Sequence, residues 1–94
     1  MIIISQDKTM ILNFEYIETI EIENPLENND GKFKILSDTT SDNQYTIAEY
    51  KTEERAKEVL KEIWEFYEVA KRYSSSNGMS MIFEKRFAYE MPEV

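Results

Sequence analysis

Residues 52–73 read TEERAKEVLKEIWEFYEVAKRY, and this stretch decides the fold. Apolar side chains recur in it at steps of three and four residues, which is the spacing of one face of an α-helix. The apolar positions are Ala56, Val59, Leu60, Ile63, Phe66, Tyr67, Ala70 and Tyr73, with Trp64 on one flank. Thr52 is a favourable N-cap residue, and the segment 74–78 offers Asn or Gly for the C-terminal cap. We therefore predict one long amphipathic helix from Thr52 to this polar segment.

The half of the chain before the helix has the alternation of short β-strands. The predicted strands are residues 2–5, 10–14, 16–23, 33–37 and 45–50. The polar tetrad 6–9 joins the first two strands as a hairpin, and a polar loop covers 38–43. In the third strand the apolar side chains change phase near Glu18 and Thr19, which predicts a β-bulge there.

The chain after the helix alternates again over residues 79–91 and stops at Pro92. This segment predicts a sixth strand that either bends or reaches beyond its own sheet, because it is longer than most strands. The fold class is then α+β, with one antiparallel sheet of five or six strands and one long amphipathic helix packed on one face. Residues 1–94 contain no repeat and no break in composition, so we predict a single domain.

The composition excludes many kinds of catalytic centre. The chain has no His and no Cys, which rules out Ser-His-Asp and Cys-His centres and Cys/His zinc sites. Its two isolated glycines cannot form a phosphate-binding loop. Asp38 and Asp42, and the segment 28–31, lack the spacing of a calcium loop. We expect no enzymatic activity, no metal and no cofactor.

Acidic residues outnumber basic ones by 19 to 11, a net charge of −8. Residues 15–30 contain six acids and no base. The candidate partner-binding residues are Glu18, Glu21, Glu23, Glu27 and Asp30. Three interpretations stay open: a solvated strand face that prevents aggregation, a surface that binds a basic protein, and a metal site. Direct binding of nucleic acid is disfavoured, since it depends on Lys and Arg at the phosphates. The negative electrostatic field of this acidic chain suits a protein that occupies the nucleic-acid channel of another protein.

Aromatic residues are more numerous than one interface between a sheet and a helix needs. The terminal segment suggests a homodimer through its strand, since a long edge strand can pair with a second copy. The candidate self-association residues are Phe83, Phe87, Tyr89 and Met91. The alternative is that these side chains belong to the core of their own chain.

The N-terminus lacks a basic region followed by an apolar stretch, so we predict no signal peptide. No apolar run approaches the roughly 20 residues that cross a bilayer. We expect a cytoplasmic protein, and the absence of Cys fits a reducing compartment.

Four stretches of the sequence carry a resemblance: IISQDK (3–8), ILNF (11–14), YKTEERAKEVLKEI (50–63) and YEMP (89–92). They resemble small, mostly uncharacterised proteins of Gram-positive bacteria and their phages; segment 24–43 is not covered. No catalytic residues are known in that group. The resemblance implies a mobile-element context, in which small acidic proteins often block host machinery, including defence systems.

The leading hypothesis is a non-enzymatic protein-interaction module, such as a phage or mobile-element inhibitor of a host or defence protein. The alternative is a small-ligand-binding or ligand-sequestering oligomer with its pocket between protomers or under the helix. The negative charge disfavours anionic ligands unless Lys85 and Arg86 converge across an interface. A structural protein of a phage particle is a third possibility.

Overall fold

The computed structural model describes residues 1–27, 31–77 and 88–94, and for Glu27 and residues 73–77 it describes the backbone alone. The strands are β1 (Ile2–Ile4), β2 (Ile11–Asn13), β3 (Ile17–Glu23), β4 (Phe33–Thr39), β5 (Gln44–Tyr50) and β6 (Ala88–Glu90). The helix α1 spans Glu53–Asn77, and short 3-10 helices lie at Phe14–Tyr16 and Pro25–Glu27.

Among the described residues, the six strands form two three-stranded sheets, ordered β2-β1-β6 and β3-β4-β5. The prediction of one antiparallel sheet was therefore wrong in two respects. The 3-10 helix at Phe14–Tyr16 turns the chain between β2 and β3, so these strands enter different sheets. Its first turn is capped by Asn13, whose Oδ1 accepts a hydrogen bond from the backbone N–H of Glu15. In addition, β6 pairs with β1 in the parallel direction.

Several local predictions are confirmed. The strands β1 and β2 form the predicted hairpin, and the Asp7 carboxylate accepts hydrogen bonds from the Thr9 hydroxyl and backbone N–H and from Ser5. These bonds, chiefly those from Thr9, lower the pKa of Asp7. The register of β3 against β4 shifts between Ile17 and Thr19, which is the predicted bulge. A second shift, between Ile35 and Leu36, was not predicted.

The helix packs one face on the β3-β4-β5 sheet, as its apolar stripe predicts. Buried side chains of the helix, of both sheets and of Met1 form one cluster. The helix contributes Ala56, Val59, Ile63 and Ala70; the sheets contribute Ile3, Leu12, Ile35, Ile47, Ala48, Tyr50 and Tyr89, with Met91 just after β6. At its start, Thr52 Oγ1 accepts a hydrogen bond from the Arg55 N–H at 3.1 Å, which confirms the N-cap. One turn into the helix, Glu53 and Lys57 form an ion pair at 2.7 Å.

Within the described helices, no segment is long and apolar enough to cross a membrane. Of the predicted terminal strand, only the last part falls within the described residues. There the alternation is as predicted, because Tyr89 is buried and Glu90 is exposed.

Candidate protein-interaction surface

The acidic residues singled out from the sequence lie mainly on β3. Glu18 and Glu21 are exposed, and Glu23 is half-buried. Glu23 lies opposite Lys34 of β4. Glu27 ends the 3-10 helix at Pro25–Glu27. Asp30 lies outside the described residues.

β3 is an edge strand, because its sheet is ordered β3-β4-β5 and only one side of it is paired. No other described strand pairs with its outer side. In an antiparallel ladder, alternate residues direct their backbone N–H and C=O groups to opposite sides of the strand. Part of the backbone of β3 therefore faces away from its sheet.

The two faces of β3 differ in chemistry. Ile17, Ile20 and Ile22 pack against the core. The other face carries Glu21, and it also carries Thr19, whose hydroxyl donates to Asp38 Oδ2 on β4 at 2.8 Å. Gln44 Nε2 of β5 donates to the second oxygen of the same carboxylate at 2.9 Å. Hydrogen bonds between side chains therefore cross this outer face from β3 to β5, and Leu36 of β4 lies opposite Glu21.

Two hollows lie between β3 and the helix, and the first of them is lined mainly by apolar side chains. One hollow of about 230 Å³ is lined on the strand side by Phe14, Ile17, Glu18, Thr19 and Ile20 and on the helix side by Leu60, Ile63 and Trp64. A second hollow of about 230 Å³ is lined by Ile22, Asn24, Phe33, Glu53 and Lys57. Because β3 runs opposite to the helix here, the two hollows follow one another along the strand. We call the pair of hollows the β3–α1 groove.

Trp64 lies at the groove with 59% of its surface exposed. In the sequence, Trp64 lies on one flank of the apolar face of the helix. Its spacing alone does not decide whether its side chain belongs to the core or to the surface. An exposed tryptophan beside an apolar hollow is typical of binding surfaces rather than of a solvated helix face.

The charge around this groove is mainly negative on the strand side. β3 has the sequence IETIEIE, with three acids and no base. Glu18 and Glu21 form no ion pair with any described residue. On the helix side, Lys57 is paired with Glu53 and Lys61 with Glu65. Glu18 and Glu21 are thus left available to an outside cation.

Of the four self-association candidates, Tyr89 and Met91 lie within the described residues. Phe83 and Phe87 lie outside the described residues. Tyr89 is 8% exposed, packs edge-on against Phe66, and donates its hydroxyl hydrogen to Glu62 Oε1 at 2.9 Å. Burial, and then this hydrogen bond, raise the pKa of Tyr89 well above its usual range. Met91 is also buried, so these two side chains contact the core of their own chain.

Two other hollows were not expected from the sequence. A cleft of about 440 Å³ lies at the start of the helix and is lined by Gln6, Lys32, Glu49, Tyr50, Lys51, Thr52, Arg55, Glu93 and Val94. Among the lining residues, Tyr50 donates its hydroxyl hydrogen to the carbonyl of Pro92 at 2.8 Å, and burial raises the pKa of Tyr50 to about 12. The other hollow, of about 300 Å³, adjoins the exposed side chains of Ile11 and Tyr16. The alternation of side chains in β2 could have predicted that Ile11 is exposed, since its neighbour Leu12 is buried.

Among the described residues, no group of three or more acidic side chains is arranged to hold a metal ion. Comparison with known proteins finds no family model, no curated protein and no solved structure that matches this chain. What the chain does must therefore be inferred from its own residues.

Proposed function

We propose that the chain is a non-enzymatic protein-interaction module that binds a basic protein partner through β3. The observation that carries the proposal is an edge strand with three acids and no base, in which Glu18 and Glu21 are exposed and without an ion pair among the described residues. Complementary charge steers partners together and discriminates against wrong ones. A basic surface is the partner that this strand suits.

We extend the proposal to the inhibition of a host or defence protein of a bacterium. Its support is the resemblance to phage and bacterial proteins together with the charge, since an acidic surface can occupy a channel that normally holds nucleic acid. Direct binding of nucleic acid is opposed by the same charge.

The test is a pull-down from a nuclease-treated lysate of a Gram-positive host with three bait proteins. The melting temperatures of the baits are first checked to be equal, so that a loss of binding does not reflect unfolding. The baits are the wild type, Glu18→Lys/Glu21→Lys, and a control with the same change of charge elsewhere, Glu65→Lys/Glu90→Lys. We expect one stoichiometric protein on the wild type and the control, released by high salt and absent from the β3 variant. Retention of the same protein by all three baits would contradict binding through β3.

A second candidate function is the binding of a small ligand in the cleft beside Tyr50 and Arg55. Its volume of about 440 Å³ lies within the range of roughly 300–1,000 Å³ that is usual for ligand sites. The test is the melting temperature of the protein against a panel of nucleotides. A rise that grows with concentration supports this function, and the absence of any rise across the panel removes it.

A further inference from the structure

We propose that β3 binds its partner by strand addition: an extended segment pairs with the outer edge of β3, places apolar side chains in the β3–α1 groove and directs basic side chains to the face that carries Glu21. The inference rests on the function proposed above and specifies its geometry. Strand addition supplies affinity through main-chain hydrogen bonds and specificity through pockets for alternate side chains.

The two hollows of the groove follow one another along β3, as the side chains of an added segment would. On the strand side, the first hollow is lined by Phe14 and residues 17–20, and the second by Ile22 and Asn24. Successive side chains on one face of an added strand are two residues apart. An apolar side chain of the segment can therefore enter the first hollow beside Trp64, and another side chain on the same face can reach the second hollow.

The intervening side chains of the segment would point to the opposite face, where Glu21 lies. Opposite charges on neighbouring strands attract, and like charges directly opposite each other repel. The segment should therefore alternate apolar residues with Lys or Arg. A second copy of β3 is a poor occupant, because two strands that each carry three acids and no base repel each other.

The opposite edge of this sheet is closed by the chain itself. The backbone N–H of Gln6 donates to the carbonyl of Ile47 on β5 at 2.8 Å. The side-chain amide of Gln6 accepts from Glu49 N at 2.9 Å and donates to Glu49 O at 3.0 Å. No described residue covers the outer edge of β3 in a comparable way, so within residues 1–27, 31–77 and 88–94 β3 is the edge of this sheet at which a strand can be added.

The experiment selects binders for the full-length protein from a displayed library of random peptides long enough to pair with all seven residues of β3. We expect selected peptides to alternate apolar residues with Lys or Arg. Trp64→Ala should weaken their binding by about tenfold or more, since buried tryptophans dominate binding surfaces. The matched control is Val69→Ala, which truncates a side chain of the same helix that is 60% exposed and absent from the groove lining. Its effect should stay within about twofold.

Hydrogen exchange then reports whether the backbone of β3 is used. Added peptide should slow the exchange of alternate amides of β3 by about tenfold or more, because they gain hydrogen bonds. The inference is overturned if no peptide is selected, if the peptides do not alternate, or if the amides of β3 are unaffected. Peptides that need Glu18 and Glu21 but neither Trp64 nor the backbone would overturn strand addition and leave the acidic binding surface in place. Selected peptides that Glu18→Lys/Glu21→Lys binds as well as the wild type would overturn both.

Discussion

Gln6 and Glu49 are joined by two reciprocal hydrogen bonds, in which the side-chain amide of Gln6 takes the place of a backbone peptide group beside β5. The same amide nitrogen also lies 3.1 Å from the carbonyl oxygen of Pro92 and 3.0 Å from that of Glu93. One side chain therefore links the β1–β2 hairpin, the second sheet and the segment that follows β6. It also satisfies backbone groups at an edge that would otherwise be open.

Truncation of this side chain should destabilise the fold. We expect Gln6→Ala to lower the free energy of unfolding by about 1–3 kcal/mol, because several half-buried backbone groups lose their partner. The control is Gln44→Ala, whose side chain makes one exposed hydrogen bond to Asp38 and should matter by less than about 0.5 kcal/mol. Urea denaturation measures both. Equal losses in the two variants would show that Gln6 does not hold the two sheets together.

The core at the interface between the second sheet and the helix gives another prediction. Ile35 is fully buried, whereas Ile11 is 70% exposed. Ile35→Ala should lower the free energy of unfolding by about 2–5 kcal/mol, because it leaves a cavity in packed surroundings. Ile11→Ala should change it by less than about 0.5 kcal/mol. A small effect at Ile35 would mean that the helix does not pack on the sheet as described.

The helix could be predicted from the sequence because the signals for a helix are local. An apolar period of 3.6 residues and the Thr52 cap require no knowledge of the rest of the chain, and the bulge near Thr19 follows from a change of phase within one strand. The division into two sheets does not follow from local pattern. Phe14, Glu15 and Tyr16 continue the alternation of the neighbouring strands, yet they form a 3-10 helix, and the parallel pairing of β6 with β1 depends on where the chain returns after the helix.

The candidate surface divides in the same way. The run of acids from Glu15 onward is visible in the sequence, and alternation places Glu21 and Glu23 on one face of their strand. That β3 lies at an edge, and that Trp64 lies across a groove from Ile20, are tertiary facts. The sequence could therefore single out Trp64, but it could not identify β3 as the strand opposite this side chain.

The start of the helix gives a third prediction. Thr52→Ala removes the oxygen that accepts the Arg55 N–H, and we expect the free energy of unfolding to fall by about 1 kcal/mol. Thr52→Ser keeps that oxygen and serves as the control, with a smaller loss. Thermal or urea unfolding of the two variants checks this. Identical stability of the Ala and Ser variants would show that the cap contributes nothing.

The last prediction concerns alkaline pH. Burial raises the pKa of Tyr50 from its usual 10.0 to about 12, so the folded state holds this proton more tightly than the unfolded state. The resulting stabilisation is complete below pH 10 and is lost as the pH rises from 10 toward 12. Tyr50→Phe has no such proton, so its free energy of unfolding should fall less steeply between pH 10 and 12. The difference between the slopes of the two proteins is at most about 1.4 kcal/mol per pH unit.

The measurement is the free energy of unfolding of both proteins between pH 9 and 12. The control is Tyr16→Phe, at a side chain that is 61% exposed. Parallel curves for the wild type and Tyr50→Phe would contradict a raised pKa, whereas convergence of the two curves above pH 10 would confirm that the buried hydroxyl stabilises the fold as a neutral donor to Pro92.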